Sequence, residues 1–400
     1  FQVRESEARA RVELAGDDRL PAERLLGRVS APTLDDRLRQ RRERAELRRL
    51  KEHHGRGEDE EEELLRLVGA VRLATQVRGV EGLEAFLDPE LTGKNGYEET
   101  RGADVVYGAE SNLVAAKDPI DGRDVRLTLD SGLQAAAQRC LRNPSSEHED
   151  PAWASGPVGA IVLLALDGSV LAAASEPDDE SDLSRPGAQP ERYVLAERTL
   201  TKRTFQPPGS VFKPFAAMWA LEHGLDPTHT VTCGPIERGA GYKDLRCHSQ
   251  FGHGEVNLHS ALVQSCNAYF AWLGETLSTE DFRALCAEFG FGQPTGVRNL
   301  PLDDGEARTG LREDLAGLSL PKDGAELSGF LRRRVANGLS GIEATPMQVA
   351  RGFLELATGE RRELRLVQRV GERELAPHPG EKLPFSARNL ELVRAALRGV

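Results

Sequence analysis

Apolar residues in the second half of the chain recur at spacings typical of short strands and amphipathic helices. A strand pattern over 124–129 precedes a helical pattern over 131–141, which the carboxylate of Asp130 can cap. Two apolar runs, 158–166 and 169–174, are joined by Asp-Gly, a strong signal for a two-residue hairpin. These patterns predict the first strands of an antiparallel sheet, with helices packed beside it.

Capping residues mark further helices. Ser278 with Asp281 forms a capping-box pattern at the start of a helix over 279–289, and Thr345 with Gln348 forms another. Helical patterns also cover 258–264, 268–277 and 386–398. The chain after residue 118 is therefore predicted to be a mixed α and β (α+β) domain.

Residues 1–118 have a different pattern. Densely charged helical stretches cover 34–54 and 64–76, and an acidic run ends at Glu63. We interpret these charge runs as solvated helix faces. The change in pattern predicts two domains, 1–118 and 119–400.

Composition narrows the classes of function. The net charge of −12 over 400 residues argues against a nucleic-acid partner. No stretch approaches the roughly 20 apolar residues of a membrane-spanning helix. Because the sequence begins at Phe1 rather than at methionine, we expect that an upstream segment, such as a signal or an anchor, has been removed.

A rigid turn followed by an apolar helix carries the first candidate for chemistry. Pro207, Pro208 and Gly209 form the turn, so Ser210 falls in the first helical turn. Lys213 lies three residues on, on the same helix face, so its amine can reach the serine hydroxyl. A neutral lysine can activate a serine nucleophile. Ser-x-x-Lys alone is common, so a helix start with an unrelated lysine is the alternative.

The residues on either side of Ser-x-x-Lys favour the catalytic interpretation over an unrelated lysine. Pro208-Gly209-Ser210-Val211-Phe212-Lys213-Pro214 resembles the Pro-Gly-Ser-Thr-Phe-Lys-Pro signature of penicillin-binding protein transpeptidases. Residues 78–84 and 91–97 resemble parts of the pedestal that precedes this domain in class B members. The resemblance implies a penicillin-binding, serine β-lactamase-like transpeptidase fold over 119–400. It also implies that residues 1–118 form an elongated N-terminal pedestal that is truncated relative to the family.

The resemblance assigns roles to four residues. Ser265-Cys266-Asn267 lies between two predicted helices and resembles the second motif of the family, Ser-x-Asn, although such a triplet is more often only a helix cap. By resemblance, Ser210 is the nucleophile, Lys213 the general base, Ser265 a proton relay and Asn267 a substrate-binding group. The third motif, Lys-Thr-Gly, does not occur in the sequence. We expect it on a strand past Val400, so the C-terminal part of the domain is interpreted as missing.

A group of cysteines near the second motif predicts a metal site. Cys233, Cys247, His253 and Cys266 supply three thiolates and an imidazole, which is a complete donor set for structural zinc, and His248 is an alternative ligand. A hairpin over 232–246 is expected to bring the first two cysteines together. A disulfide between them and unlinked thiols remain as alternatives. Catalysis itself is predicted to need no cofactor.

Taken together, the resemblance implies the extracytoplasmic part of a class B, elongation-type penicillin-binding protein. Such a protein is a peptidoglycan D,D-transpeptidase and a β-lactam target, anchored in the inner membrane with its catalytic domain in the periplasm. The implied partners are peptidoglycan stem peptides, β-lactams and a membrane glycan polymerase. A penicillin-recognising hydrolase or sensor and a non-catalytic cell-wall scaffold are the alternative functions.

Overall fold

The computed structural model describes part of the chain in detail. The described residues are 2–4, 12–15, 29–30, 78–79, 82–94, 96–100, 113–142, 159–176, 207–235, 245–300, 311, 313–315 and 325–400. The predicted helices over 34–54 and 64–76 lie outside them. No helix in the described ranges is both long enough and apolar enough to cross a membrane.

Short strands occur throughout the described part of the chain. They are β1 Gln2–Arg4, β2 Val12–Ala15, β3 Val29–Ser30, β4 Arg78–Gly79, β5 Gly96–Thr100, β6 Leu113–Lys117, β7 Val125–Asp130, β8 Gly159–Leu164, β9 Val170–Glu176, β10 Val231–Cys233, β11 Gly254–Val256, β12 Glu360–Arg361, β13 Val367–Val370, β14 Arg373–Glu374 and β15 Glu381–Lys382.

Most of the helices are longer than the strands, and the helices carry about half of the buried apolar residues. They are α1 Gly82–Phe86, α2 Asp88–Leu91, α3 Ser131–Arg142, α4 Lys213–Glu222, α5 Leu258–Val263, α6 Asn267–Thr276, α7 Thr279–Glu288, α8 Gly329–Ala336, α9 Pro346–Thr358 and α10 Ala387–Leu397.

The chain divides into two compact units. The first comprises Phe1–Gly132, Leu300–Arg312 and Val367–Ala376, and the second comprises the rest. In the first unit, one sheet has the strand order β14-β13-β7-β2 and another the order β1-β5-β6. The pedestal role of residues 1–118, and a boundary at 118, stay predictions.

In the second unit, the predicted hairpin is present. Strands β8 and β9 pair antiparallel around the turn at Asp167-Gly168, where the carboxylate of Asp167 accepts a hydrogen bond from the amide of Ser169 at 2.9 Å. Helix α3 is fixed along β9 by Gln134, whose side chain both donates to and accepts from the backbone of Ala173, at 3.1 and 2.8 Å. Side-chain-to-backbone hydrogen bonds therefore attach α3 to the hairpin.

Most predicted helix starts are confirmed. Ser278 and Asp281 form a reciprocal capping box at α7, and Thr345 and Gln348 form one at α9. Ser386 caps α10 through Asn389. Each cap satisfies backbone amides that a helix N-terminus otherwise leaves unpaired.

An aromatic cluster fixes helix α4 in the core. The ring of Phe215 lies 4.9 Å from that of Phe289, 5.1 Å from that of Phe291 and 5.2 Å from that of Phe353. Gly352 on α9 permits this approach, because a β-carbon there would lie 2.8 Å from the Phe215 ring. Tilted and edge-on aromatic contacts of this kind each add about 0.5–1.5 kcal/mol beyond area burial. The start of α4 is consequently held rigidly.

Candidate active site

Ser210 stands on a tight turn at the start of helix α4. Gly209–Phe212 form a 3-10 turn that continues directly into α4, and Gly209 has a left-handed φ of 70°. Glycine adopts this conformation without steric cost. The side chain of Ser210 is exposed, whereas Phe212 is fully buried. The turn therefore presents a hydroxyl to solvent at the partially positive end of a helix.

The amine of Lys213 lies in the interior, although Lys213 is the first residue of α4. Only 1% of this residue is exposed. Its Nζ donates hydrogen bonds to the carbonyl oxygen of Ser265 at 2.8 Å, to Ser265 Oγ at 3.1 Å and to Asn267 Oδ1 at 2.7 Å. The ammonium also lies 5.4 Å from the centroid of the Phe270 ring. The structure thus brings together three of the four predicted catalytic side chains.

The interior position of Lys213 shifts its protonation equilibrium toward the neutral form, relative to an exposed lysine. Burial lowers the pKa of Lys213 to about 8, while the nearby sulfurs of Cys247 and Cys266 act in the opposite direction. In the described structure no hydrogen bond joins the side chains of Ser210 and Lys213, because the amine is directed at Ser265 and Asn267 instead. The two residues are one helical turn apart, so the proton transfer predicted from the sequence requires one of these side chains to move.

Ser265 is held in an unusual backbone conformation. Its φ is 49°, and no other non-glycine residue in the described ranges has a positive φ. The amide of Ser265 donates to the carbonyl of Leu262 at 3.1 Å, and that of Cys266 donates to Ala261 at 2.8 Å. A left-handed conformation costs a non-glycine residue roughly 1–2 kcal/mol. This sharp reversal between α5 and α6 lets both the carbonyl and the hydroxyl of Ser265 face Lys213.

Asn267 connects Lys213 to the segment that carries Cys247. Its Oδ1 accepts from Lys213, and its Nδ2 donates to the carbonyl oxygen of Arg246 at 2.9 Å. Because one end of the carboxamide accepts and the other donates, these two partners fix its orientation. The predicted substrate-binding amide is therefore already oriented.

The turn that carries Ser210 is also fixed from the other side. The amide of Gly209 donates to the carbonyl oxygen of Gly338 at 2.8 Å. Gly338 has a φ of 67°, and a β-carbon there would lie 2.0 Å from the carbonyl oxygen of Gly209. Asn337, only 1% exposed, donates to the carbonyl oxygen of Arg333 at 2.9 Å and so ends α8 at this point. Only glycine can occupy position 338 without displacing the nucleophile turn.

Replacing Gly338 with alanine is expected to destabilise the protein by roughly 2–5 kcal/mol, because it combines a strained φ with a backbone clash. Gly224→Ala is the matched control, since Gly224 has a φ of 90° and open space around its α-carbon. The control should lose only about 1–2 kcal/mol. Urea denaturation of both variants measures the difference, and equal losses would contradict the close approach to Gly209.

The predicted metal ligands converge beside this site. One ligand atom from each of Cys233, Cys247, His253 and Cys266 lies within 4.8 Å of every other. Nδ1 of His253 is 3.6 Å from the sulfur of Cys233 and 3.4 Å from that of Cys247. The three cysteines are buried. His248, the alternative ligand, is exposed, with its Nδ1 4.0 Å from the sulfur of Cys247.

The backbone brings these residues together differently from the predicted hairpin. Strand β10, which ends at Cys233, pairs with β11, and the amide of His253 donates to the carbonyl of Cys233 at 3.0 Å. A β-carbon on Gly252 would lie 2.1 Å from that carbonyl, so glycine is required there. In the described ranges β10 pairs with β11, and Cys233 and Cys247 do come together as predicted. Residues 236–244 of that predicted hairpin lie outside the described ranges.

The chemistry of the cluster fits a tetrahedral metal ion. No disulfide joins any of the five cysteines in this structure. A hydrogen bond from the Cys266 thiol lowers the pKa of Cys247, as do the backbone amides of Asn267 and Ser249. The cluster therefore already favours one thiolate. Three sulfurs and an imidazole nitrogen on a closed, buried site are the donors that structural zinc prefers.

The residues of this site lie in a segment that matches a known protein family. Residues 158–400 match the family model of the penicillin binding protein transpeptidase domain. This segment is more than half of the chain and contains every residue of the site described above. The chain belongs to the penicillin-binding protein transpeptidase family. Membership confirms the family and the fold class predicted from the sequence.

Curated relatives of this transpeptidase domain share moderate identity. The peptidoglycan D,D-transpeptidase MrdA of Acinetobacter baumannii is 32% identical over 241 residues, which are 56% of this chain and 32% of the relative. Stage V sporulation protein D of Bacillus subtilis is 30% identical over 228 residues, 55% of this chain and 33% of the relative. The chain thus spans about a third of the length of these relatives.

Solved structures share the same transpeptidase fold. A chain from a peptidoglycan synthase complex superposes with a TM-score of 0.64 at 26% identity, covering 82% of this chain and 57% of that one. The penicillin-binding protein PBP2 of Helicobacter pylori, in its complex with MreC, gives a TM-score of 0.63 at 22% identity, covering 95% and 62%. At that identity the second likeness shows the fold alone.

Two contributors to the site are not evident from the sequence. Asn-Gly at 337–338 follows a helix and signals its end, but nothing in the local pattern links Gly338 to Gly209. Asn267 is oriented by the backbone carbonyl of Arg246, and a backbone contact does not depend on which residue type occupies that position. Only the tertiary structure reveals these two contacts.

Proposed function

We propose that the chain is the catalytic part of a peptidoglycan D,D-transpeptidase that works through a serine acyl-enzyme. The observation that carries this proposal is the buried Lys213 amine, held by Ser265 and Asn267 one helical turn from the exposed Ser210. Membership in the transpeptidase family and the names of its MrdA relatives support the same reaction class.

In the proposed acylation step, the neutral Lys213 amine accepts the proton of the Ser210 hydroxyl as Oγ bonds to a carbonyl carbon. The carbonyl is that of the penultimate D-alanine of a stem peptide. When the tetrahedral intermediate collapses, the carbon–nitrogen bond breaks and the terminal D-alanine leaves, with Ser265 relaying a proton from Lys213 to its amine. The backbone amide of Ser210 supplies one donor for the developing oxyanion. Asn267 binds the substrate backbone.

In the proposed second step, the amine of another stem peptide attacks the acyl-enzyme. Its nitrogen bonds to the acyl carbon, the ester bond to Ser210 breaks, and the proton returns through Lys213 to Oγ. The product is a cross-link between two stem peptides. A β-lactam enters at the first step and leaves Ser210 acylated, because its amine remains tethered to the acyl group.

We propose further that Cys233, Cys247, His253 and Cys266 hold a structural zinc ion. Bound zinc would contribute no step of catalysis. Its ligand Cys266 lies between Ser265 and Asn267 in the chain, so fixing this sulfur would also fix the two residues that bind Lys213. The fit of the four donors supports this proposal.

A place in cell-wall elongation is part of this proposal. The similar structures come from a peptidoglycan synthase complex and from a PBP2–MreC complex, so we propose a membrane glycan polymerase and other elongation proteins as partners. The proposed location is the inner membrane, with the catalytic domain in the periplasm.

The test is the intact mass of this chain and of its Ser210→Ala variant after incubation with benzylpenicillin. The parent should gain the mass of one penicillin, and the variant should gain none. Because Ser210 is exposed, the substitution removes the hydroxyl without opening a cavity in the core. An adduct on both proteins, or on neither under conditions where both are folded, would contradict the proposal.

A further inference from the structure

A second concave site lies at the far end of helix α4 from Ser210. It is a cavity of about 420 Å³, bounded by the last turns of α4 and α6, the loop 223–229 and the start of α7. The ten residues of α4 separate the two sites by roughly 15 Å along the helix axis. None of the residues that line this cavity belongs to the proposed catalytic or zinc-binding groups.

Two polar side chains of the cavity offer hydrogen-bond acceptors. Nδ1 of His223 lies 2.7 Å from the carbonyl oxygen of Trp219, which can only accept, so the proton of a neutral ring is on Nδ1. Its Nε2 then carries a lone pair. The hydroxyl of Thr276 donates to the carbonyl oxygen of Leu273 at 2.7 Å, which leaves its oxygen free to accept.

The two carboxylates of the cavity are ionised. Asp226 uses Oδ1 for both the hydroxyl and the amide of Thr228, at 2.7 and 2.9 Å, and these bonds lower the pKa of Asp226. Burial acts to raise the pKa of Asp281, but bonds from Ser278 and Trp219 outweigh it, and the pKa lies below its usual value. Oδ2 of Asp226 makes no hydrogen bond within the described chain.

Aromatic rings and helix ends add to the negative potential. The indole of Trp272 lines the cavity, and the imidazole of His229 stacks on it at 4.2 Å between centroids. The faces of such rings attract cations. Helices α4 and α6 both end here, and each C-terminus carries a partial negative charge of about half an electron.

We propose that this cavity binds an organic cation, specifically the guanidinium group of an arginine side chain or of a similar small ligand. The acceptors at His223 and Thr276 match the hydrogen-bond donors of a guanidinium, and Asp226 and Asp281 balance its charge. Trp272, stacked with His229, lines the same cavity.

The test is a titration of the isotope-labelled chain with N-acetyl-arginine amide. Binding is monitored by NMR through the indole N–H signals of the tryptophan side chains. The signals of Trp219 and Trp272 should shift and saturate, because Trp272 lines the cavity and Trp219 Nε1 donates to Asp281 at 3.2 Å. N-acetyl-citrulline amide has nearly the same shape without the charge and should produce no saturable shift. N-acetyl-lysine amide tests whether a primary ammonium can replace the planar group, and we expect weaker binding.

Two substitutions locate the site. Asp226→Asn should weaken binding roughly two- to fivefold, as loss of an exposed charge pair does. Glu280→Gln is the matched control: it removes the same charge from an exposed residue next to Asp281 but outside the cavity, and should leave the affinity unchanged. Circular dichroism melting verifies that both variants are folded. Equal binding of the citrulline amide, equal weakening by the two substitutions, or no saturable shift with the arginine amide would overturn the proposal.

Discussion

Lys213→Met is expected to reduce the rate of acylation by benzylpenicillin about 10²- to 10⁴-fold, the contribution typical of a positioned general base. Methionine has nearly the length of lysine but leaves the oxygens of Ser265 and Asn267 without its hydrogen bonds, so a circular dichroism melt must verify that the variant is folded. The measurement is the second-order rate constant of acylation, followed with a fluorescent penicillin. Lys382→Met, at an exposed lysine on β15, is the matched control and should acylate at the parent rate.

The pH dependence of the parent tests the same role independently. The base must be neutral, and a pKa of about 8 for Lys213 means that its neutral fraction rises as the pH rises through 8. We therefore expect the acylation rate to increase about tenfold per pH unit below 8 and to level off above it. A rate that is flat between pH 6 and roughly 9 would contradict the assignment of Lys213 as the base.

Cys266→Ser is expected to remove zinc from the protein and to lower its stability by on the order of 4 kcal/mol, a loss typical of a structural metal site. Serine retains the small size of the residue that precedes α6 but is a poor zinc ligand. Metal analysis of protein purified without chelator should find about one zinc per parent chain and close to none in the variant.

Cys286→Ser controls for the change of a buried thiol. Cys286 is fully buried on α7 and is not one of the converging ligands, so this variant should lose some packing energy and retain its zinc. Absence of zinc from the parent, or full zinc content in Cys266→Ser, would contradict the metal proposal. Acylation by penicillin should also slow in Cys266→Ser, because Ser265 and Asn267 flank the altered residue.

Elements whose contacts join residues close together in the chain can be predicted from the local sequence. Reciprocal capping at Ser278 and Asp281 involves residues three apart, and the Asp167-Gly168 turn depends on its own two residues, so both can be predicted. The Ser210 turn and its helix are predictable for the same reason. The grouping of Lys213, Ser265 and Asn267 rests instead on resemblance to the family.

Long-range pairing cannot be predicted from local sequence. The partner of β10 is not identifiable because Cys233 is followed by turn-forming residues that permit several registers. The close approach of Gly252 to the Cys233 carbonyl selects β11, and it depends on tertiary packing. The left-handed φ of Ser265 is equally hidden, since serine has no preference for that conformation.

The contact between the Gly209 amide and the Gly338 carbonyl has a consequence for hydrogen exchange. Gly209 adjoins the exposed Ser210, yet its amide proton is engaged by a segment that is remote in sequence. That proton can exchange with deuterium only when the helix end at Gly338 separates from the nucleophile turn. Exchange at this single glycine amide therefore measures how often the turn that carries Ser210 separates from the helix end at Gly338.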